Sequence, residues 1–240
     1  MASQTWLIKT YMDRAARQCS VTPPSDWIAD TDTNSVVLMG CLVDTVDELL
    51  DRHDWNQCTL TETITGTGAT SYDLPNHFRR LCTEGNAVYE TTGNKRPLIP
   101  ITKSADWPEM QAWNTTGGNR YYRLQGRSLE VYDALPTDNV IKVAYVSNRW
   151  VLTAGGDSEM AWSSANTDQS YIPGQLLQLG IKWRFRQHKR LSYVDDKAIY
   201  EGTLARMMGD DKPQRRVNFS GPSVPEHPMR VPIIDRIPTA

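Results

Sequence analysis

Residues 34–54 read NSVVLMGCLVDTVDELLDRHD, and their apolar side chains recur at steps of three and four. Val36, Met39, Val43, Val46 and Leu50 form one seam, while Asp44, Asp47, Glu48 and Asp51 lie away from it. This spacing predicts an amphipathic helix with one face in a core. Thr31, Asp32, Thr33 and Asn34 offer N-caps for it. From Cys58 the period falls to two, because CTLTETIT (58–65) alternates as a strand does. A chain that changes period so abruptly belongs to the α+β class.

Outward from that junction, TGTGAT (65–70) reads as a hairpin turn into SYDLP (71–75). Further strands are expected at 86–91, 98–102, 120–125, 128–133 and 139–147, and a short helix between Ser104 and Trp113. NVIKVAYV (139–146) is the clearest strand, with Val140, Lys142, Ala144 and Val146 opposite Ile141, Val143 and Tyr145. Helical periods mark three more segments. Residues 4–19 carry Ile8, Met12, Ala15, Ala16 and Cys19 on one face. Residues 172–191 carry Ile172, Leu176, Leu179, Gly180 and Trp183, with Leu177, Ile181 and Phe185 beside them. Residues 194–209 carry Tyr200, Leu204, Met207 and Met208.

The expected plan is a bundle of about four main helices (1–56 and 172–211) holding an inserted small antiparallel β domain (57–150). A polar linker (151–171) follows the insertion, and the chain finishes in an extended proline-rich arm (212–240). That arm holds six of the fourteen prolines, which cannot continue a helix or occupy a central strand.

Composition narrows the function. Twenty-six basic residues stand against twenty-eight acidic ones, a net charge of −2. Wholesale coating of nucleic acid or of an anionic membrane needs a strong basic excess, which is absent. Eight Trp and ten Tyr against three Phe favour surfaces that are half wet and half buried, as at protein interfaces. The N-terminal MASQTWLIKTYMDR has no apolar core of signal-peptide length, so a soluble protein made in the cytosol is expected. Cys19, Cys41, Cys58 and Cys82 have no CxxC spacing and signal neither a disulfide framework nor a zinc site.

The recognised patterns of chemistry are missing. Gly66-Thr67-Gly68 lacks the Gly-Lys-Ser/Thr of a phosphate loop, and neither GxSxG nor HExxH occurs. His53, His77, His188 and His227 are isolated from one another. No cofactor, metal or catalytic residue is assigned, and a non-enzymatic protein is expected. Two features stand above the background. Lys182, Arg186 and Lys189 make a basic helix face in a segment with no acid from Ile172 to Val194, suited to phosphates, to an acidic partner or to plain solvent. The arm carries Arg215, Arg216, Phe219, Arg230, Val231, Ile233, Ile234, Arg236 and Ile237, too apolar for a solubilising tail. A proline-locked extended segment loses little entropy when it enters a partner's groove.

In this order, VDTVDELLDRHDW (43–55), SYDLPNHFRRL (71–81), YRLQGRSLEVYDALPTDNVIKVAYVSNRW (122–150) and YIPGQLLQLGIKWRFRQHKRLSYVDDKAIYEGTLARMM (171–208) resemble one family. It is the head–tail adaptor (connector, or head-completion) proteins of tailed bacteriophages and gene transfer agents. The resemblance implies a virion protein, assembled in the bacterial cytoplasm, that forms a ring of neighbouring copies, typically a dodecamer, beneath the portal protein. It also implies a tail, stopper or nozzle protein on the other side and double-stranded DNA passing without sequence recognition. By position, 212–240 matches the portal-docking segment, and Lys182, Arg186 and Lys189 would face the channel or a subunit interface. A near-neutral chain suits such a channel, since retained phosphate contacts would hinder sliding. Three other readings compete: a nucleic-acid-binding module using the 182–190 face and the basic arm, a tail terminator or stopper, and a glycan-binding or cell-wall-hydrolysing tail component using Trp107, Trp113, Trp150 or Trp162.

Overall fold

The fold is that of a computed structural model, which describes residues 6–93, 95–103, 105–113, 120–154 and 159–211. It is mixed α+β, with five helices and small, mainly antiparallel sheets among the described residues. The chain opens with β1 (Trp6–Leu7), α1 (Ile8–Gln18) and α2 (Thr33–Arg52). The middle holds β2 (Thr59–Thr65), β3 (Ser71–Asp73), β4 (Phe78–Leu81), β5 (Val88–Glu90), β6 (Ile99–Pro100), α3 (Asp106–Trp113), β7 (Tyr121–Gln125), β8 (Ser128–Tyr132) and β9 (Val140–Ser147). Then come β10 (Val151–Leu152), β11 (Glu159–Met160), β12 (Gln169–Ser170), α4 (Gly174–His188) and α5 (Val194–Asp211).

Each long helix is explained by its buried stripe. In α1, Ile8, Tyr11, Met12, Ala15 and Ala16 are buried, as the 3.6 period requires. α2 is capped by Asp32, whose carboxylate accepts the Asn34 amide at 2.9 Å. Its buried face is Ser35, Leu38, Cys41, Leu42, Thr45, Val46, Leu49 and Leu50. This corrects the expected seam, which is rotated by part of a turn. Val46 and Leu50 are inside, Met39 and Val43 sit at the rim, and Val36 is 57% exposed. The stripe tolerates Thr45 because its hydroxyl donates to the Cys41 carbonyl at 2.6 Å, and Ser35 because its hydroxyl donates to the Asp30 carboxylate. A purely apolar count could not include them.

α4 is the hub, packed against α1, α2 and α5. It buries Gly174, Leu176, Leu177, Gly180, Ile181, Trp183 and Phe185. Gly180 allows the close approach to α2: a Cβ there would collide with the Thr45 side chain.

The strands form three groups. β9 is central to one, with β2 antiparallel along one edge and β4 followed by β5 along the other. The second group runs β3, β8, β7, β6, its last pair parallel. The expected hairpin between β2 and β3 does not form. β2 pairs with β9, β3 pairs with β8, and the glycine turn instead packs on the β8–β9 connection, where the Gly66 amide donates to the Asn139 carbonyl. A Cβ on Gly66 would strike the Pro136 carbonyl, so close backbone approach is the reason for that glycine.

The third group corrects the expected linker. Within 151–171, β10, β11 and β12 form a short sheet, and β12 pairs with β1 from the N-terminus. Buried Asp168 organises the turn before β12 by accepting the Ser164 and Ala165 amides. Two cores result. The helical core takes in Trp27, Trp55, Cys58, Val146, Trp150, Val151 and Ile172, so the ends of the β segment are anchored in it. The second core, around Val88, Leu129, Val131, Ile141 and Val143, belongs to the strands alone.

Candidate functional site

The charged side chains of the helices converge on two clamps. The first is built on the outer face of α2. Arg79 at the start of β4 reaches Asp47 at 2.6 Å and Asp51 at 2.8 Å. The next residue, Arg80, reaches Asp54 at 2.5 Å and also donates to the Leu50 carbonyl. Arg184 of α4 binds Glu48 and donates to the Thr45 hydroxyl, and its guanidinium lies 4.3 Å from the Trp183 ring centre. Arg52 joins Glu48 to Glu201 of α5. The acidic helix is therefore neutralised by cations from two other elements, β4 and α4, while its own Arg52 ties it to α5. Arg79 holds the Asp51 carboxyl below its usual range, and Arg52 does the same for Glu201. Burial works against the ionised Asp54, but Arg80 and the Glu84 and Thr83 amides overcome it and lower its value.

The second clamp concerns the predicted basic face. Lys182 and Arg186 both point at Asp196 of α5, each at 2.7 Å, and Asp196 is 6% exposed. Two of the three cations thus hold α4 to α5 within one chain. Lys189 is exposed, with its ammonium 5.5 Å from the Phe185 ring centre. Sequence reading missed Asp196, because the spacing rule searched for acids within the same helix. The signal was present in VDDKAIY, two acids in the first turn of the next helix.

At the far end of α5, Asp211 accepts from the Asn56 amide at 3.1 Å and pairs with His53 Nε2 at 3.1 Å. His53, the C-cap of α2, therefore meets a carboxylate of α5. The arm leaves from this point. Arg215, Arg216, Phe219, Arg230, Val231, Ile233, Ile234, Arg236 and Ile237 lie outside the described residues.

The remaining surface is apolar in places. Leu191, Val194 and Ile199 around the α4–α5 corner are 56%, 68% and 55% exposed. Of the tryptophans considered for sugar stacking, Trp107 and Trp150 are buried and Trp162 is exposed. Trp107 lies under Arg123, and Trp150 donates to the Ala161 carbonyl, so both are core residues. The Trp113 side chain lies outside the described residues. All four cysteines are free, and burial pushes the Cys58 thiol up to about 12. Among the described residues no helix is long and apolar enough to cross a membrane, and no cluster of His, Cys, Asp and Glu is able to hold a metal ion.

Helices cross-linked by their own charges, a β segment rooted in the same core and an apolar corner left outside define a structural scaffold. The sequence profile of the SU10 adaptor protein family matches residues 10–226, nearly the whole chain, and the chain belongs to that family. Membership makes it a phage structural adaptor and a virion component. No curated protein matches the chain. Three of the four phrases that carried the resemblance meet in space: the acidic helix, FRRL and α4 interlock through Arg79, Arg80 and Arg184.

Proposed function

We propose that this protein is the head-to-tail adaptor that closes the DNA-filled capsid, forming a homo-oligomeric ring under the portal and continuing the DNA channel toward the tail. The observation that carries this reading is the family match, which runs past the end of α5 at Asp211 into the arm as far as residue 226. Family membership implies contacts with portal and tail proteins. The helical core is the rigid part, and 212–240 is the segment that docks on the portal. Its role is mechanical, without catalysis. The exposed Leu191, Val194 and Ile199 fit a contact between neighbouring copies, where apolar area is covered on assembly. Lys189 is the basic-face residue most available to DNA or to a neighbour, because Lys182 and Arg186 are engaged by Asp196.

The test is solution mass, first of the protein alone and then mixed with purified portal rings. A stoichiometric ring on the portal supports the adaptor reading. Binding to tail-tube protein with no affinity for portals makes it a terminator or stopper instead.

A further inference from the structure

The outward face of α2 and the corner between α4 and α5 carry opposite charge, and each is partly apolar. On α2, Val36, Gly40, Val43, Asp44, Asp47 and Asp51 fall within about 100° of the helix circumference at 3.6 residues per turn. Val36 is 57% exposed, Val43 lies at the rim of the core, and a Cβ on Gly40 would meet nothing. Asp44 is exposed and makes no ion pair among the described residues. The Asp47 and Asp51 side chains stay more than half exposed beside Arg79. A groove of about 190 Å³ borders this face, with Val43, Asp47 and the exposed Trp162 among its walls.

The corner is the counterpart. Leu191, Val194 and Ile199 are each more than half exposed, and Lys189, Arg190 and Lys197 are exposed around them. Neither Lys189 nor Arg190 makes an ion pair among the described residues, unlike Lys182 and Arg186, which Asp196 engages. Asp195 is the exposed acid of this stretch, so the cations prevail. Apolar side chains gathered in this way and rimmed by charge mark an interaction surface. A phosphate chain would satisfy the cations and leave Leu191, Val194 and Ile199 in water.

We propose that the α4–α5 corner of one copy seats on the outward face of α2 of the next. Leu191 and Val194 cover Val43 and Trp162, while Lys189 and Arg190 meet Asp44 and Asp47. This contact rests on the ring proposed above and supplies the surface that the corner lacks a partner for. The chain itself carries both halves, matched in charge and each with apolar side chains to cover. The two faces share no residue, so the contact is heterologous and passes from copy to copy, as closure of a ring requires. Corner against corner would set Lys189 and Arg190 against their own equivalents, a like-charge juxtaposition that opposes a two-fold dimer.

The experiment follows the full chain by sedimentation as it fills purified portal rings, and its self-association without them. Contact between neighbours makes filling steep, because each added copy gains from the one beside it. Lys189→Glu and Asp44→Lys should each raise the half-filling concentration about tenfold and make filling shallow, since each sets like charges across the contact. Leu191→Ser should act in the same direction, about fivefold, by removing apolar cover. Unfolding curves should not change, because all three side chains are exposed. The double variant Lys189→Glu/Asp44→Lys, and an equal mixture of the two single variants, restore opposite charges at every contact and should bring back steep filling. Shallow wild-type filling, or steep filling that neither reversal alters, overturns this contact and leaves portal docking in place. Weakening by one reversal alone, or by both without restoration, overturns the pairing of the two faces. A wild-type chain that neither associates alone nor gathers on portals overturns the adaptor reading and this contact with it.

Discussion

Gly180 shows how one residue sets the distance between two helices. Its missing side chain lets α4 lie on Thr45, so Gly180→Ala forces the helices apart despite the better helix propensity of alanine. The expected loss is about 2 kcal/mol in urea unfolding. Thr45→Ala in the same chain should restore most of the loss, because the clash is with the Thr45 hydroxyl and methyl. An additive double mutant would show that the contact is not the reason for the glycine. Asp196 makes the complementary case. Asp196→Ala leaves Lys182 and Arg186 facing each other over a partly buried site and should cost about 2 kcal/mol, with Asp196→Glu recovering part of it. Such residues were only half legible in the sequence. The basic triplet stood out because its spacing is local, whereas the acid that holds two of its members lies in the next helix, and pairing across helices leaves no period to read.

At the scale of elements, the existence of the main helices and most middle strands was legible, since each repeats its own period over many residues. What failed was phase and pairing. The α2 stripe could not be placed within part of a turn, because Ser35 and Thr45 are inside and Val36 is outside, against their polarity. Leu50→Asp should therefore abolish folding or cost about 4 kcal/mol, while Val36→Asp should leave the thermal transition unchanged. Loss of soluble protein with Val36→Asp would return that residue to the core. The pairing of β2 with β9 was hidden because 74 residues intervene between Thr65 and Val140, and the two-residue strands of β10–β12 are too short to show alternation. The clamps on α2 also predict an acid response. Asp51, Asp54 and Glu201 titrate below their unfolded values of about 3.9 and 4.3, so their contribution is complete above those values and is lost as pH falls through the folded ones. His77, 2.8 Å from the Tyr145 hydroxyl, is lowered by burial, so its contribution is present above about pH 6.5 and declines as pH falls. Urea midpoints should fall gently below about pH 6.5 and steeply below about pH 4.3. His77→Gln should remove the first phase alone, and Arg79→Gln should flatten the second.

For the whole molecule, the arrangement of contacts separates what folds the chain from what assembles it. The helical core closes on itself through α4, and the last described residue, Asp211, is already tied to His53 and Asn56. Among the described residues the helical core is closed at that tie, and the expected outcome of truncation after Asp211 is an unfolding midpoint unchanged within experimental error. If the arm is the portal-docking element, the same truncated protein should lose binding to portal rings. In the proposed ring that loss would be magnified, since each arm would contribute a weak contact and the joint would depend on all of them acting together. Mixed rings offer the sharper measurement: portal affinity should fall steeply, not in proportion, as truncated copies replace full-length ones. A proportional fall would mean that the arms act singly, and full binding by the truncated ring would move the portal contact onto the folded body. An unfolded truncation product would instead assign 212–240 to the core. The exposed apolar corner at Leu191, Val194 and Ile199 provides the internal control, because substitutions there should weaken contacts between copies while leaving both the monomer's stability and the arm intact.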